Sequence, residues 1–206
     1  MRIHRMPAFE MDRLVKQINF IIEIDKLKKI LRQTALVDRS RQENVSEHSW
    51  HISVMALILA EYSNESNLDI LRVIKMLLVH DLVEIDAGDT FLYDNEGNHD
   101  KYEREQKAAQ RIFGLLPSEQ ADELQTIWEE FEDMSSSEAK FAKALDSLQP
   151  VLMAFYNKGW SWKTHGLMKS QVLEKKKSIK KGSRMLWEYT KSLLNQATEK
   201  GYITDS

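Results

Sequence analysis

The sequence predicts an all-α fold, a single globular helical bundle, and three observations carry that expectation. Apolar residues recur three and four apart along nearly the whole chain. Glycine (7) and proline (3) are few for a β-rich, turn-rich chain of 206 residues. No internal repeat, low-complexity tract or Pro/Gly/Ser linker divides it, so residues 1–206 read as one domain.

The elements follow in order. A first helix is expected from Glu10 to Leu31, its stripe formed by Leu14, Ile18, Ile21, Ile22, Ile24, Leu27 and Leu31. A polar loop spans Asp38 to Asn44. Ser46 is placed to cap a helix carrying Ile52, Met55, Leu59 and Tyr62. Asn64 to Asn67 is a turn. A third helix runs from about Asp69 to Asp86; Leu71, Ile74, Leu77 and Leu78 make it apolar around much of its circumference, hence central, and Gly88 ends it. Asp89 to Asn98 is aperiodic and reads as a loop. Lys101 to Leu116 is amphipathic, and Pro117-Ser118 opens a helix bearing Leu124, Ile127, Trp128 and Phe131. Ser135 and Glu138 form a capping box for a helix reaching about Tyr156, with a kink expected at Pro150. Gly159 to His165 reads as a tryptophan-rich loop, followed by helices near Leu167–Lys181 and Ser183–Glu199.

Composition narrows the function classes. The chain is 42% hydrophobic and 30% charged, as in ordinary globular proteins, and its net charge of −3 offers no global basic field for nucleic acid. It has no cysteine, which excludes disulfides and thiolate metal sites and is consistent with a reducing cytoplasm. No apolar run approaches the roughly 18–20 residues that cross a bilayer. Met1 to Pro7 lacks the apolar core of a secretory signal.

The chemistry concentrates in Leu78-Val79-His80-Asp81-Leu82-Val83-Glu84. An imidazole followed by a carboxylate inside an apolar helical pattern is expensive to desolvate. A divalent cation is the obvious compensation, and without cysteine it must be held by His, Asp and Glu. His80 and Glu84, four apart, share a helix face, as do Asp81 and Glu84; His80 and Asp81 diverge by about 100°. His48, beside the polar loop, is the best third ligand. Asp146, a carboxylate inside an apolar stripe, is the fourth. Three helices aiming ligands at one point is how bundles build metal sites. Singly, each residue is ordinary. A lone histidine on a half-buried helix is more often a satisfied core residue, and His51 is either that or a partner behind a ligand.

As a set, His48, His80-Asp81 and Asp146 resemble the H…HD…D pattern of the HD-domain metal-dependent phosphohydrolase superfamily. Glu43 to Ser49, His80 to Asp89, Ile127 to Glu132 and Ser136 to Asp146 are similar to its 5′-deoxynucleotidase branch, over about residues 32–153. The resemblance implies His48, His80, Asp81 and Asp146 as metal ligands and Glu84 as general acid/base. It implies Asp89 as a second acidic group in the site and Arg32, in the loop after the first helix, as the phosphate contact. The cation implied is divalent: Mn, Co, Mg, Zn, Fe or Ni. That branch's nucleotidase member carries a substrate-contacting tryptophan beside the arginine; here the position is Gln33, which leaves base and sugar preference open.

The expected activity is therefore release of phosphate from (deoxy)nucleoside 5′-monophosphates by metal-activated water. Alternatives are an HD phosphohydrolase of nucleoside triphosphates, alarmones or cyclic nucleotides, or a nucleotide sensor without turnover. The expected partner is a small nucleotide, not nucleic acid or membrane; the expected location is cytoplasmic, and the resemblance implies a homodimer. Ser46 caps its helix or turns its hydroxyl to the substrate. Arg39 and Arg41 add positive potential or are simply solvated. Asp86 points elsewhere than Glu84 and is expected to be structural. Lys175, Lys176, Lys177, Lys180 and Lys181 are expected to form a solvated helical face. Trp160, Trp162 and His165 cover the pocket or a neighbouring subunit, or pack against the bundle, and packing or a dimer contact is the expected role. His4 and His99 have no partners in sequence and are assigned nothing.

Overall fold

The computed structural model describes residues 8–94 and 96–205. The readings of Met1–Pro7 and of His4 lie outside the described residues. Eleven α-helices and one hairpin are described: α1 Ala8–Ile24, β1 Leu31–Ala35, β2 Gln42–Asn44, α2 Val45–Leu59, α3 Ile70–Val79, α4 Glu84–Ala87, α5 Lys101–Phe113, α6 Ser118–Asp133, α7 Ser137–Tyr156, α8 Trp160–Thr164, α9 Lys169–Lys175, α10 Ile179–Gly182 and α11 Arg184–Glu199. The fold is all-α, as expected.

α7 is the axis of the bundle, packing against α2, α3, α6, α10 and α11. Its fully buried Phe141, Leu145 and Leu148 join Ile52, Leu77 and Phe131 in the larger apolar cluster. Farther along, Val151 and Ala154 enter a second cluster with Trp162, Leu167, Val172 and Leu194. One helix thus ties both clusters together. Pro150 lies within α7, and the helix runs on to Tyr156. Its missing N–H leaves the carbonyl of Asp146, four residues back, without its helical donor.

Several expectations are corrected. The first helix stops at Ile24; a 3₁₀ turn covers Asp25–Lys29, and Leu31 lies in a strand. The stripe assigned to that helix is largely solvent-facing, with Ile21 55% and Ile22 68% exposed. The expected loop holds an antiparallel hairpin instead, pairing Leu31 with Asn44 and Ala35 with Gln42. Its turn is closed by the Asp38 carboxylate, which accepts from the Ser40 N–H at 2.9 Å, and by Arg39 at φ 63°. Asn44, not Ser46, caps α2, in a reciprocal box with Glu47. Ser136, not Ser135, caps α7 by accepting from the Ala139 N–H. Glu138 instead accepts from the Asp69 N–H at 3.1 Å. Gly159–His165 contains α8, and the segment read as one helix over Leu167–Lys181 is two, α9 and α10. Short helices such as these lack the length over which a period can be read.

The correction that matters most concerns the third helix. α3 ends at Val79, and residues 80–83 form tighter turns, with Leu82 N–H bonding Val79 O and Glu84 N–H bonding Asp81 O. His80 and Asp81 therefore sit at a break between α3 and α4 rather than mid-helix. Leu71 and Leu78 face solvent, at 65% and 49% exposed, so α3 is amphipathic rather than central on all sides.

Candidate metal centre and substrate pocket

Three side chains converge from three places in the chain. His48 enters from the first turns of α2, His80 from the end of α3 and Asp146 from α7; one ligand atom of each lies within 4.8 Å of the others. His48 Nε2 is 3.2 Å from Asp146 Oδ1, and His80 Nε2 is 3.9 Å from the same oxygen. Both imidazoles are buried.

The hydrogen bonds behind the rings fix which nitrogen faces inward. Gln149, fully buried one turn after Asp146, donates through Nε2 to Glu43 Oε1 at 2.7 Å. That fixes its amide orientation, so Oε1 accepts from His48 Nδ1 at 3.2 Å. His80 Nδ1 donates to Leu77 O at 3.0 Å. With both protons on Nδ1, both Nε2 lone pairs point at carboxylate oxygens. His80 Nε2 is buried and makes no hydrogen bond, although Asp81 Oδ1 is 3.0 Å away. Each such contact needs a positive charge between the two atoms, either a proton on Nε2 or a bound cation. His48, His80 and Asp146 are positioned to bind a metal ion, and the mixed nitrogen and oxygen set suits a divalent one.

The two rings shift in opposite directions. Burial, with Arg32 nearby, pushes His48 down to about 4, which keeps it in the neutral ligand form. Burial opposes charge on His80, yet Asp81 and Asp146 raise it above its ordinary value. Asp81 and Asp146 are held below the usual carboxylate range despite burial, chiefly by His80 and by His48 respectively.

Asp81 stands one step outside the three-residue group. Its Oδ1 faces His80, and its Oδ2 accepts from Arg32 Nη1 at 3.2 Å. Arg32 lies in β1, not in a loop, and Asp89 Oδ1 is 3.9 Å from the same Nη1. Glu84 begins α4 and is 4% exposed, with Oε2 buried and unpartnered. Burial, then Asp81 and Asp89, raises its pKa well above the ordinary value. Asp89 is likewise raised by burial, with Arg32 opposing. Ser46 neither caps α2 nor lines the pocket; two helical positions from His48, it lies about 200° round the helix. Arg41 pairs with the capping residue Glu47, and Asp86 pairs with Arg111, a structural role as expected.

A small pocket, with a cavity volume of about 110 Å³ and an open mouth, adjoins Arg32 and Asp89. Arg32, Gln33 and Asp89 line one side. Phe91 and Tyr93 from the loop after α4, and Trp162 and His165 from α8 and its C-terminal end, line another. Phe91 and His165 are 4.3 Å apart between ring centroids, and Ser161 Oγ and His165 Nε2 are buried without partners. Arg104 ties the loop down, donating to Ala87 O at 2.6 Å, Thr90 Oγ1 at 3.2 Å and Gly97 O at 2.8 Å.

Sequence reasoning missed the roles of Glu43, Gln149, Arg104 and Lys176, and of Phe91 and Tyr93 in the aromatic wall; Trp162 and His165 are among its candidates for covering the pocket. Gln149 falls on an apolar stripe like Asp146, and that was the available signal. His51 serves as a partner behind a ligand: its Nδ1 lies 3.4 Å from Gln149 Nε2. The lysine cluster is not uniformly solvated, because Lys176 is 8% exposed and lines the pocket.

The HD domain profile matches residues 24–187. The chain belongs to the HD domain family. HD-domain relatives include the human protein named 5′-deoxynucleotidase HDDC2, 37% identical over 139 residues. That match spans 66% of this chain and 66% of the human protein, just under two thirds of each. The Danio rerio HDDC2 is 36% identical over 138 residues, 66% of this chain and 67% of that one. Among solved structures, a "predicted metal-dependent phosphohydrolase" from Magnetospirillum magnetotacticum is 51% identical, with a TM-score of 0.88, over 93% of this chain and 98% of that one. A Pyrococcus horikoshii protein, 22% identical over 89% of this chain and 99% of its own, has a TM-score of 0.61 and shares the fold.

Proposed function

We propose that this HD-domain protein is a metal-dependent phosphomonoesterase that releases phosphate from (deoxy)nucleoside 5′-monophosphates. One observation carries the reading: inward-facing His48, His80 and Asp146 stand beside an unpartnered buried carboxyl, Glu84, and a pocket bounded by Arg32. The names carried by the HDDC2 relatives support the substrate class.

Asp81 joins the three converging residues as fourth ligand. These residues would hold a divalent cation, whose chemistry there would be to lower the pKa of a water towards about 7 and to polarise a phosphoryl oxygen. Arg32 turns its guanidinium towards the non-bridging phosphate oxygens. Glu84 Oε2 exchanges a proton with the attacking water or the leaving 5′-oxygen, as general acid/base. Asp89 shares the Arg32 guanidinium with Asp81 and lines the pocket. Gln33 faces the nucleoside, and Phe91 supplies a flat apolar surface for it. The compact pocket favours monophosphates over triphosphates, alarmones or cyclic nucleotides.

The whole chain reads as one HD domain, because α7 serves both apolar clusters. No helix among the described residues is long and apolar enough to cross a membrane. Absence of cysteine supports a cytoplasmic location, and net charge argues against nucleic acid as partner. Exposed Trp50, Leu57 and Ile58 on α2 support a homodimer.

The test is a panel of nucleoside monophosphates, each with Mn, Co, Mg and Zn, read by free phosphate. Turnover is expected to require the cation and to vanish in His80→Ala and Asp81→Ala. Glu84→Gln is expected to lower kcat by about 10²–10⁴-fold while metal affinity stays unchanged. A metal-loaded protein inactive on every nucleotide refutes the proposal.

A further inference from the structure

Lys176 differs from the lysines around it. Lys175, Lys177, Lys180 and Lys181 are exposed, whereas Lys176 is 8% exposed at the C-terminal end of α9. Its ammonium makes no ion pair or side-chain hydrogen bond among the described residues. The other lysines near the site are matched: Lys101 by Glu105 at 3.1 Å and Lys143 by Glu132 at 3.1 Å. Arg32 is matched too, with Asp81 at 3.2 Å, Glu43 at 3.6 Å and Asp89 at 3.9 Å.

Desolvating a lysine without pairing it costs a fold stability that a methionine would not; the stem of Lys176 is buried, and its Nζ keeps access to the open space of the pocket. The charge faces the same pocket as Arg32. Burial pushes the ammonium down to about 8, with Arg32 adding to the fall and Asp146 opposing it, so it is still mostly charged at neutral pH. Arg32 is already balanced by carboxylates, so Lys176 is the cation on this pocket with no ion-pair partner among the described residues. A phosphate dianion supplies that partner and enters a site otherwise dominated by carboxylates.

We propose that Lys176 is a substrate-binding residue, the second cation of a phosphate subsite whose other cation is Arg32. The identity of the phosphate as that of a nucleotide rests on the function proposed above; the subsite itself does not. Lys176 lies on the C-terminal segment, which would make that segment part of the active site rather than a covering for the bundle.

The experiment measures binding of inorganic phosphate to the manganese-loaded protein by calorimetry, for wild type, Lys176→Met and Lys176→Arg, with thermal unfolding of each. Lys176→Met is expected to weaken phosphate binding about 10–100-fold, the loss typical of a charge-assisted hydrogen bond. Its Tm should equal or exceed that of wild type. Lys176→Arg should restore most of the binding. Should Lys176→Met not fold, Lys176→Gln is read in the same way. Wild-type affinity in a folded Lys176→Met, or no phosphate binding by wild type, overturns the proposal. A protein that binds phosphate through Lys176 but hydrolyses no nucleoside monophosphate refutes the function and leaves the subsite standing. Turnover with an unchanged KM in Lys176→Met does the reverse.

Discussion

Replacing Gln149 with leucine tests whether the hydrogen bonds behind His48 set the metal centre. Gln149 is fully buried, so the near-isosteric leucine leaves little cavity and removes only polar contacts. Three contacts are lost, to the Nδ1 proton of His48 (3.2 Å from Gln149 Oε1), to Glu43 Oε1 (2.7 Å from Gln149 Nε2) and to His51 Nδ1 (3.4 Å); His51 is half-buried and water can replace its contact, so two buried groups are orphaned. Each orphaned buried group costs about 1–3 kcal/mol, so the metal-free protein should lose ~2–6 kcal/mol. The lower half is expected, because burial has already pushed Glu43 up to about 7 and it can take a proton when Gln149 is gone. With Nδ1 unheld, His48 is free to change tautomer or rotate, and its inward lone pair is no longer assured. Removing such a partner typically lowers metal affinity 10–100-fold. Zinc competition against a chelator reads the affinity, and denaturant unfolding of the metal-free protein reads the stability. Zinc affinity within twofold of wild type would refute the idea that Gln149 orients His48.

Arg104→Ala removes three hydrogen bonds that hold the loop carrying Asp89, Thr90 and Phe91. KM for an active nucleotide should rise about tenfold with metal affinity unchanged, as steady-state kinetics and metal titration will show. Gly159→Ala should destabilise the fold by at least ~2 kcal/mol in urea unfolding, because φ is 78° and the new Cβ would lie 2.1 Å from Tyr202 O.

His80-Asp81 was conspicuous in sequence because desolvated polar pairs are rare inside apolar periodicity. His48 and Asp146 were recoverable because each interrupts or borders an apolar stripe, and the four together form a recognisable set. Glu84 followed from its helical spacing, although α3 in fact breaks before it. The hairpin bearing Arg32 was invisible because its strands are five and three residues long, with no clean alternation.

The sequence by itself determined the helical class, the long helices and the donor types at the metal centre. These depend on local period and residue chemistry, which a linear reading retains. Only the tertiary structure decided which atoms meet. The Glu43–Gln149–His48 chain joins residues about a hundred positions apart in the chain. The pocket joins Arg32 to Trp162 and Lys176. Lys176 makes the physical reason plain: in sequence it is one of five similar lysines, and burial alone separates it from them.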